Sequence, residues 1–200
     1  SAFDDLIRQG KVHYIGFSEW DATQISSALK IQDAKGYTRF ISSQPQYSML
    51  WRVIESKVDP LCRNEGIGHI VWSPIAQGAL TGKYLPGKKP PKGSRATDKK
   101  GGANMISRWM KDDVLTAVEK LKPIAEKEGL TQAQLAVAWV LQNPNISSAI
   151  IGATKPSQIK ENVKASGVKL SSETMKAIDN ALGNLPERDA AKTVSPNPRA

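Results

Sequence analysis

The sequence predicts an α/β fold organised around a parallel sheet. Short apolar segments alternate with segments of helical pattern, which is typical of βαβ units. Polar or glycine-rich residues follow each of these apolar segments directly, and in parallel sheets the carboxyl ends of the strands form the edge at which ligands bind. The four predicted strands cover residues 12–17, 40–43, 67–72 and 149–151, the last of which we expect to be buried.

In the first half of the chain, two helices are predicted between the first three strands. Residues 4–10 have the pattern of a helix that Gly10 ends, before the first strand. Asp21 with Gln24 forms a capping-box pattern, so a helix should follow and run to about residue 35. A further helix is predicted over residues 53–64.

In the second half, three more helical segments surround the fourth strand. The pattern over residues 112–128 is helical, and Pro123 should divide or kink it. Thr131 with Gln134 predicts a helix start, and that helix should run to about residue 142. The last helix is predicted over residues 171–182, and the proline-containing tail at 186–200 is expected to be disordered or loosely packed.

Size and composition indicate one domain of ordinary globular type. The chain has 200 residues and a single cysteine, Cys62. We therefore expect no internal disulfide and a location in the reducing cytoplasm. No apolar run is long enough to predict a membrane span or a signal peptide. We therefore expect a cytoplasmic protein without a membrane partner.

The positive charge of the chain is concentrated in one segment, residues 83–111. Nine basic residues against one acidic residue give this segment +8 of the net charge of +9. Its glycine and proline content predicts a long loop. Such a loop either clamps an anion, such as a nucleotide phosphate, or is a solvated loop without a ligand. Nucleic-acid binding is not favoured, because only Tyr84 and Trp109 supply aromatic rings.

Residues 149–162 predict a strand, a tight turn and a helix that begins at Pro156. The start of a helix offers unpaired N–H groups, so a phosphate is one possible ligand beside Thr154 and Lys155. Gln158, Glu161 and Asn162 share one face of this helix. The alternative is an ordinary strand-to-helix turn with a polar helix face.

Five stretches of the chain resemble, in order and spacing, the motifs of the aldo-keto reductases. They are GKVHYIGFSEW at 10–20, QPQY at 44–47, WSPIAQGALTGKY at 72–84, SRA at 94–96 and IGATKPSQIKEN at 151–162. The closest similarity is to the branch that contains the voltage-gated potassium channel β-subunits. This resemblance implies the C-terminal part of a TIM-type (β/α)8 barrel over residues 1–185, with about four βα units, a C-terminal helix and a cofactor-covering loop at 83–111.

The resemblance also implies bound NADP(H) and a role for each matching residue. Ser18, Glu19 and Gln44 correspond to residues that hold the nicotinamide carboxamide, and Trp72 to an aromatic residue that packs on the nicotinamide. The positions that correspond to the pyrophosphate and its covering loop are Ser73, Pro74, Ile75, Ala76, Gln77, Lys83 and Arg95. Those that correspond to the adenosine and 2′-phosphate end are Gly152, Thr154, Gln158, Glu161 and Asn162. Glu19 departs from the family pattern, which more often has Asn or Arg there.

The implied function is that of part of an NADP(H)-dependent reductase of aldehydes and ketones. The family's catalytic Tyr, Asp, Lys and His have no counterpart here, so no residue is assigned to catalysis and none to a metal. Trp51 and Trp109 are candidates either for the walls of a substrate pocket or for the core. The expected partners are a small carbonyl substrate and either the other half of the barrel or another copy of this chain. The alternative function is that of an inactive, NADP(H)-sensing protein that binds a regulatory partner.

Overall fold

A four-stranded, all-parallel sheet forms the frame of the chain in the computed structural model, which describes residues 1–193. The strands lie side by side in sequence order: β1 (Gly16–Phe17), β2 (Ser42–Ser43), β3 (Gly68–Trp72) and β4 (Ile146–Ile150). Within the described residues, β1 and β4 are therefore edge strands, each with one neighbour. The predicted parallel α/β sheet is confirmed.

Helices connect and cover these strands. Their bounds are α1 (Ala2–Arg8), α2 (Ala22–Lys35), α3 (Val58–Asn64), α4 (Gly102–Ile106), α5 (Asp112–Glu119), α6 (Leu121–Lys127), α7 (Gln132–Val140), α8 (Pro156–Asn162) and α9 (Ser172–Leu182). The predicted capping boxes at the start of α2 and α7 are both present. The predicted helix over 112–128 is divided as expected, because α5 ends at Glu119 and α6 begins at Leu121.

Three elements are shorter than the sequence pattern predicts. The first two strands pair over only two residues each, although backbone bonds from Ile41 to Ile15 and from Gly68 to Ile41 continue the contact. β1 approaches β2 closely, and an added Cβ at Gly16 would overlap the Ser42 side chain and lie 2.7 Å from its carbonyl oxygen. The helix predicted over 53–64 begins only at Val58, because the five preceding residues form turns.

The prediction of a buried strand at 149–151 is wrong. β4 ends at Ile150, and of its five residues only Ile146 is buried, while Ile150 is 41% exposed. An edge strand has a neighbour on one side only. Ala149 and Ile151 are half-buried against the core, whereas Ile150 between them is exposed, so the apolar composition of this segment indicated more burial than it has within the described residues.

The prediction of a loosely packed tail is wrong for residues 186–193. Glu187 forms a bridge with Trp51, with backbone bonds of 2.7 Å from Arg52 and 3.0 Å to Leu50. Pro186 and Thr193 are buried, so this part of the tail is anchored on the segment that follows β2. Residues 194–200 lie outside the described residues.

One main core lies between the sheet and the helices. Every residue of α7 from Gln134 to Val140 is buried, with Leu135, Ala136, Trp139 and Val140 in this core and Val137 and Ala138 in a smaller cluster beside it. His69 in β3 is fully buried, and its Nε2 lies 3.2 Å from Asp59 Oδ1, so it is a core residue. In the described part of the chain, no helix has the length and apolar character needed to cross a membrane.

Candidate functional site

The carboxyl ends of β1 and β2 are joined by side-chain and backbone hydrogen bonds. The Ser18 hydroxyl donates to the carbonyl oxygen of Gln44 at 2.7 Å, and the Gln44 N–H donates to the Phe17 carbonyl at 2.8 Å. The side chain of Gln44 is exposed and makes no hydrogen bond within residues 1–193. Ser18 and Gln44 therefore lie together at this edge, with the Gln44 amide free to contact a ligand.

Glu19 connects this edge to the end of β3. Its Oε1 accepts hydrogen bonds from the Gln46 N–H at 2.6 Å and from the Trp72 indole N–H at 2.8 Å. The indole ring of Trp72 is thereby held in one orientation at the last residue of β3. No donor in residues 1–193 reaches Oε2, the second oxygen of this carboxylate.

Burial raises the pKa of the Glu19 carboxyl above its ordinary value. The hydrogen bonds from Trp72 and Gln46 favour the charged form and oppose this shift only in part. Glu19 is therefore a carboxyl group whose ionised form is disfavoured by its surroundings, at an edge that the sequence predicts to be a binding site.

After β3, a tight turn is fixed by the side chain of Gln77. Its Nε2 donates to Ser73 Oγ at 2.7 Å, and its Oε1 accepts from the Trp109 indole N–H at 2.7 Å. Pro74 and Ala76 are buried, and Ile75 is half-buried against the core. Trp109 is only 5% exposed, so it has a core position and at the same time holds Gln77.

Backbone strain is concentrated at this edge. Within the described residues, four non-glycine residues have positive φ angles: Glu19 (55°), Ser73 (56°), Ala76 (47°) and Gln77 (56°). Such conformations are unfavourable for residues with a Cβ atom and cluster at binding and catalytic sites. All four belong to the set that the sequence assigns to the site.

The basic segment folds back over this turn. An added Cβ at Gly78 would lie 3.6 Å from Lys83 Nζ, which places the Lys83 amine next to the turn. Arg95 lies in a short helical turn that packs on α4, and α4 packs on residues 76–81. Within residues 1–193, no ion pair joins a cation of segment 83–111 to a carboxylate, and Asp98 accepts from the N–H groups of Lys100 and Gly102 instead.

At the end of β4, Gln158 occupies the helix start that the sequence predicts for a phosphate. Its Oε1 accepts from the Thr154 N–H at 2.7 Å, from the Lys155 N–H at 3.2 Å and from the Thr154 hydroxyl at 3.3 Å. Gly152 and Thr154 are exposed. A ligand at this position would therefore have to compete with the Gln158 side chain for these donors.

Glu161 and Asn162 do not face the same surroundings as Gln158. Asn162 is 9% exposed and lies at the end of α8. Glu161 forms an ion pair with Lys164 at 2.8 Å, and its backbone oxygen accepts from Gln134 Nε2 at 2.8 Å. The structure thus connects Ser18, Glu19, Gln44, Trp72, Ser73 and Gln77 by hydrogen bonds or adjacent positions, and no hydrogen bond within residues 1–193 joins the four polar residues at the β4 end to them.

Sequence reasoning missed Arg108. Its guanidinium lies 4.9 Å from the Trp51 ring centroid and 5.7 Å from that of Trp109. The sequence indicated the two tryptophans but counted Arg108 only as one charge of the loop. Its position next to Trp109 was the available signal. No group of three or more His, Cys, Asp or Glu side chains within residues 1–193 is arranged to hold a metal ion.

Comparison with known proteins identifies the family. The profile of the aldo/keto reductase family matches residues 1–182. A probable voltage-gated potassium channel subunit beta of Arabidopsis thaliana is 42% identical over 190 residues, which are 94% of this chain and 57% of that protein. Proteins with similar names from Oryza sativa (40% identical, 94% and 57% covered) and Schizosaccharomyces pombe (42% identical, 92% and 54% covered) also match. The chain thus spans little more than half the length of these relatives, and it belongs to the aldo/keto reductase family.

Proposed function

We propose that this chain is the cofactor-binding part of an NADP(H)-dependent reductase that converts aldehydes or ketones to alcohols. The observation that carries the proposal is the cluster of four strained residues around Trp72 at the carboxyl edge of the sheet, in a chain of this family. Strain of this kind persists where the surrounding contacts hold it, and here Glu19 and Gln77 are each held by two hydrogen bonds.

The residues at the edge fit a nicotinamide ring and its carboxamide. Trp72 is half-buried and fixed through its indole N–H, which leaves the ring as a platform for a flat aromatic group. The free amide of Gln44 and the free Oε2 of Glu19 offer a donor and an acceptor to a carboxamide. When bound, NADPH would supply the hydride, and these residues would orient it.

The unpaired cations above the turn fit the phosphates. Lys83 next to Gly78 and Arg95 in the folded-back segment have no carboxylate partner among residues 1–193, so their charge is available to an anion. Gly152, Thr154, Gln158, Glu161 and Asn162 would serve the adenosine end, with the Gln158 contacts rearranged on binding. A preference for NADP(H) over NAD(H) would then depend mainly on Thr154 and Lys155.

A second part of the proposal concerns the rest of the barrel. The edge strands β1 and β4 each lack a second neighbour in the described residues, and apolar side chains are exposed near both: Tyr14 and Ile41 near β1, Ile150 and Ile159 near β4. The relatives contain a further segment that this chain does not match. We infer that four more βα units of that kind close the barrel across the two edges and supply the catalytic groups.

Co-expression with the unmatched segment of the Arabidopsis relative tests this closure. A stable one-to-one complex is expected, detected by size-exclusion chromatography with light scattering. A chain that remains monomeric and does not bind that segment would contradict the proposal, and a homodimer that excludes the segment would show that another copy takes its place.

Titration of the full chain with NADPH, followed by quenching of tryptophan fluorescence, tests the cofactor. Saturable quenching is expected, and it should be lost or strongly reduced in Trp72→Phe. Lys83→Ala should weaken binding by roughly tenfold, as expected for loss of a charge-assisted hydrogen bond. Lys92→Ala removes the same charge from an exposed position in the same segment and is the matched control. Equal loss in both lysine variants would indicate only general attraction by the basic segment.

A second candidate function is an NADP(H)-sensing partner protein without turnover. It is favoured by the names of the three relatives, each a probable or putative potassium channel subunit beta. The closed complex distinguishes the two functions. NADPH oxidation that depends on an added aldehyde indicates the reductase, whereas NADPH binding without turnover over a panel of aldehydes and ketones indicates the sensing function.

A further inference from the structure

The guanidinium of Arg108 lies close to two tryptophan rings, those of Trp51 and Trp109. Its guanidinium carbon is 4.9 Å from the Trp51 ring centroid and 5.7 Å from that of Trp109, and the two rings meet edge to face at 6.3 Å. Trp109 is buried and Trp51 half-buried, so the platform under the guanidinium is part of the packed structure. The arginine head is thus held in place on an otherwise exposed side chain.

Both tryptophans are connected to the end of β3 through a few hydrogen bonds and neighbouring residues. Trp109 donates to Gln77, which in turn donates to Ser73, the residue after Trp72. Trp51 pairs with Ser48, and the preceding residue Tyr47 donates its N–H to the Trp72 carbonyl at 3.2 Å. Two independent series of contacts therefore place Trp51 and Trp109, the tryptophans next to Arg108, close to the end of β3 at which Trp72 lies.

The charge of Arg108 is not neutralised within residues 1–193. Arg8, Arg39, Arg52, Arg63 and Arg188 each have a carboxylate partner within 3.2 Å. No carboxylate of the described residues is within ion-pair distance of Arg108, and no hydrogen-bond acceptor there takes its N–H groups. The N–H groups of Arg108 are therefore available within the described residues, and a guanidinium binds a carboxylate through two parallel bonds.

We propose that Arg108 binds the carboxylate of the substrate, and that the substrate class is therefore carbonyl compounds that carry a carboxylate group. This inference rests on the proposed function, because it assumes that the carbonyl group lies beside Trp72. An arginine is better suited than a lysine here, since its guanidinium can lie close to both rings and still present a fork of donors. Arg108 is a specificity-determining residue in this proposal and takes no part in hydride transfer.

Binding of benzoate and benzamide to the full chain tests the proposal. The two probes have nearly the same shape and differ in charge, and Trp51 and Trp109 report their binding by fluorescence. Benzoate should bind saturably, and benzamide at least roughly tenfold more weakly, as expected when a charged hydrogen-bonded pair is lost. Arg108→Met, which keeps an apolar side chain on the rings, should weaken benzoate binding to the level of benzamide.

Two further variants make the test specific. Lys92→Met removes one positive charge from an exposed position of the same segment and should bind benzoate as the wild type does. Arg108→Lys keeps the positive charge but lacks the two parallel N–H donors of the guanidinium, and it should bind benzoate with intermediate affinity. This variant tests the role of Arg108 if Arg108→Met does not fold. Wild-type affinity for benzoate in Arg108→Lys and Arg108→Met, or equal affinity of the wild type for both probes, would overturn the inference.

An NADPH titration of the same samples separates this inference from the cofactor proposal. NADPH binding without benzoate binding refutes only the role of Arg108, and benzoate binding without NADPH binding refutes only the cofactor proposal. If Arg108→Met weakens NADPH and leaves benzoate binding unchanged, Arg108 serves a phosphate of the cofactor and the carboxylate assignment fails.

Discussion

Replacement of Glu19 by alanine should loosen the candidate site at its centre. The substitution removes the acceptor of two hydrogen bonds, from the Gln46 N–H and from the Trp72 indole N–H. At about 1 kcal/mol for each bond, the free energy of unfolding should fall by about 2 kcal/mol. Glu19 is half-buried, so water reaches the freed donors in part and the loss should not greatly exceed this figure.

Glu19→Gln is the matched variant, and its effect should depend on pH. Because the pKa of Glu19 is raised in the folded chain, folding favours the protonated carboxyl. The stability that this preference contributes is present below the ordinary carboxylate pKa of about 4 and is lost as pH rises through the higher folded value. Glutamine offers a neutral acceptor at every pH. The free energy of unfolding of Glu19→Gln minus that of the wild type should therefore be larger at pH 7 than at pH 4.

Urea unfolding of the full chain at several pH values measures both effects. Near-UV circular dichroism and NADPH quenching of the same samples report on Trp72. In a Trp72→Phe background, which lacks the indole donor, the loss of unfolding free energy caused by Glu19→Ala should fall to about 1 kcal/mol, because only the bond from the Gln46 N–H remains to be removed. An unchanged loss in that background would mean that the bond between Glu19 and Trp72 contributes nothing to stability. A pH-independent difference between wild type and Glu19→Gln would refute the electrostatic reasoning.

Three further predictions concern the frame of the site. Gly16→Ala should destabilise the chain by about 1–3 kcal/mol in urea unfolding, because the new Cβ meets Ser42. Gly152→Ala is the control and should be neutral, because no atom lies within 4 Å of the added Cβ. Equal effects of the two substitutions would contradict the close approach of β1 to β2. Cys62, whose burial raises its pKa to about 12, should react with a thiol reagent only after unfolding, and rapid labelling of the native chain would contradict its burial. Asp59→Asn should lower the free energy of unfolding by about 1 kcal/mol at pH 7. Because the pKa of Asp59 is lowered in the folded chain, this difference between variant and wild type should disappear as pH falls below about 4. A difference that persists at lower pH would contradict the ion-pair origin of the effect.

The starts of α2 and α7 and the ends of α2 and α9 were predictable because local signals decide them. The capping boxes that begin α2 and α7, and the glycines that follow α2 and α9, are read from residues only a few positions apart. The exposure of β4 was not predictable, because burial of an apolar strand depends on which elements cover it. The anchored tail was missed for a similar reason. Its contacts with Trp51 and Leu50 join residues more than 130 positions apart, and composition carries no information about them.

The sequence predicted which residues follow the strand ends but not the contacts between them. The parallel sheet brings those strand ends to one edge, and the role of that edge as a binding site stays a prediction. The sequence did not indicate that Glu19 accepts a hydrogen bond from Trp72, or that Gln77 is bonded to both Ser73 and Trp109. These bonds depend on positive φ angles, which no local sequence pattern predicted. The same four residues, Glu19, Ser73, Ala76 and Gln77, are therefore both the least predictable and the most informative part of the backbone.

The basic segment over this edge carries positive charge that no carboxylate of the described residues neutralises. Segment 83–111 carries +8, and all nine of its Lys and Arg residues are exposed, while its Ile106 and Trp109 are buried and attach the segment to the core. Its one acid, Asp98, accepts from backbone N–H groups, and no ion pair in the described residues neutralises the segment. Mutual repulsion of these cations opposes the folded arrangement. Ligands that carry phosphate and carboxylate groups would relieve it, and this links the stability of the segment to the occupancy of the site.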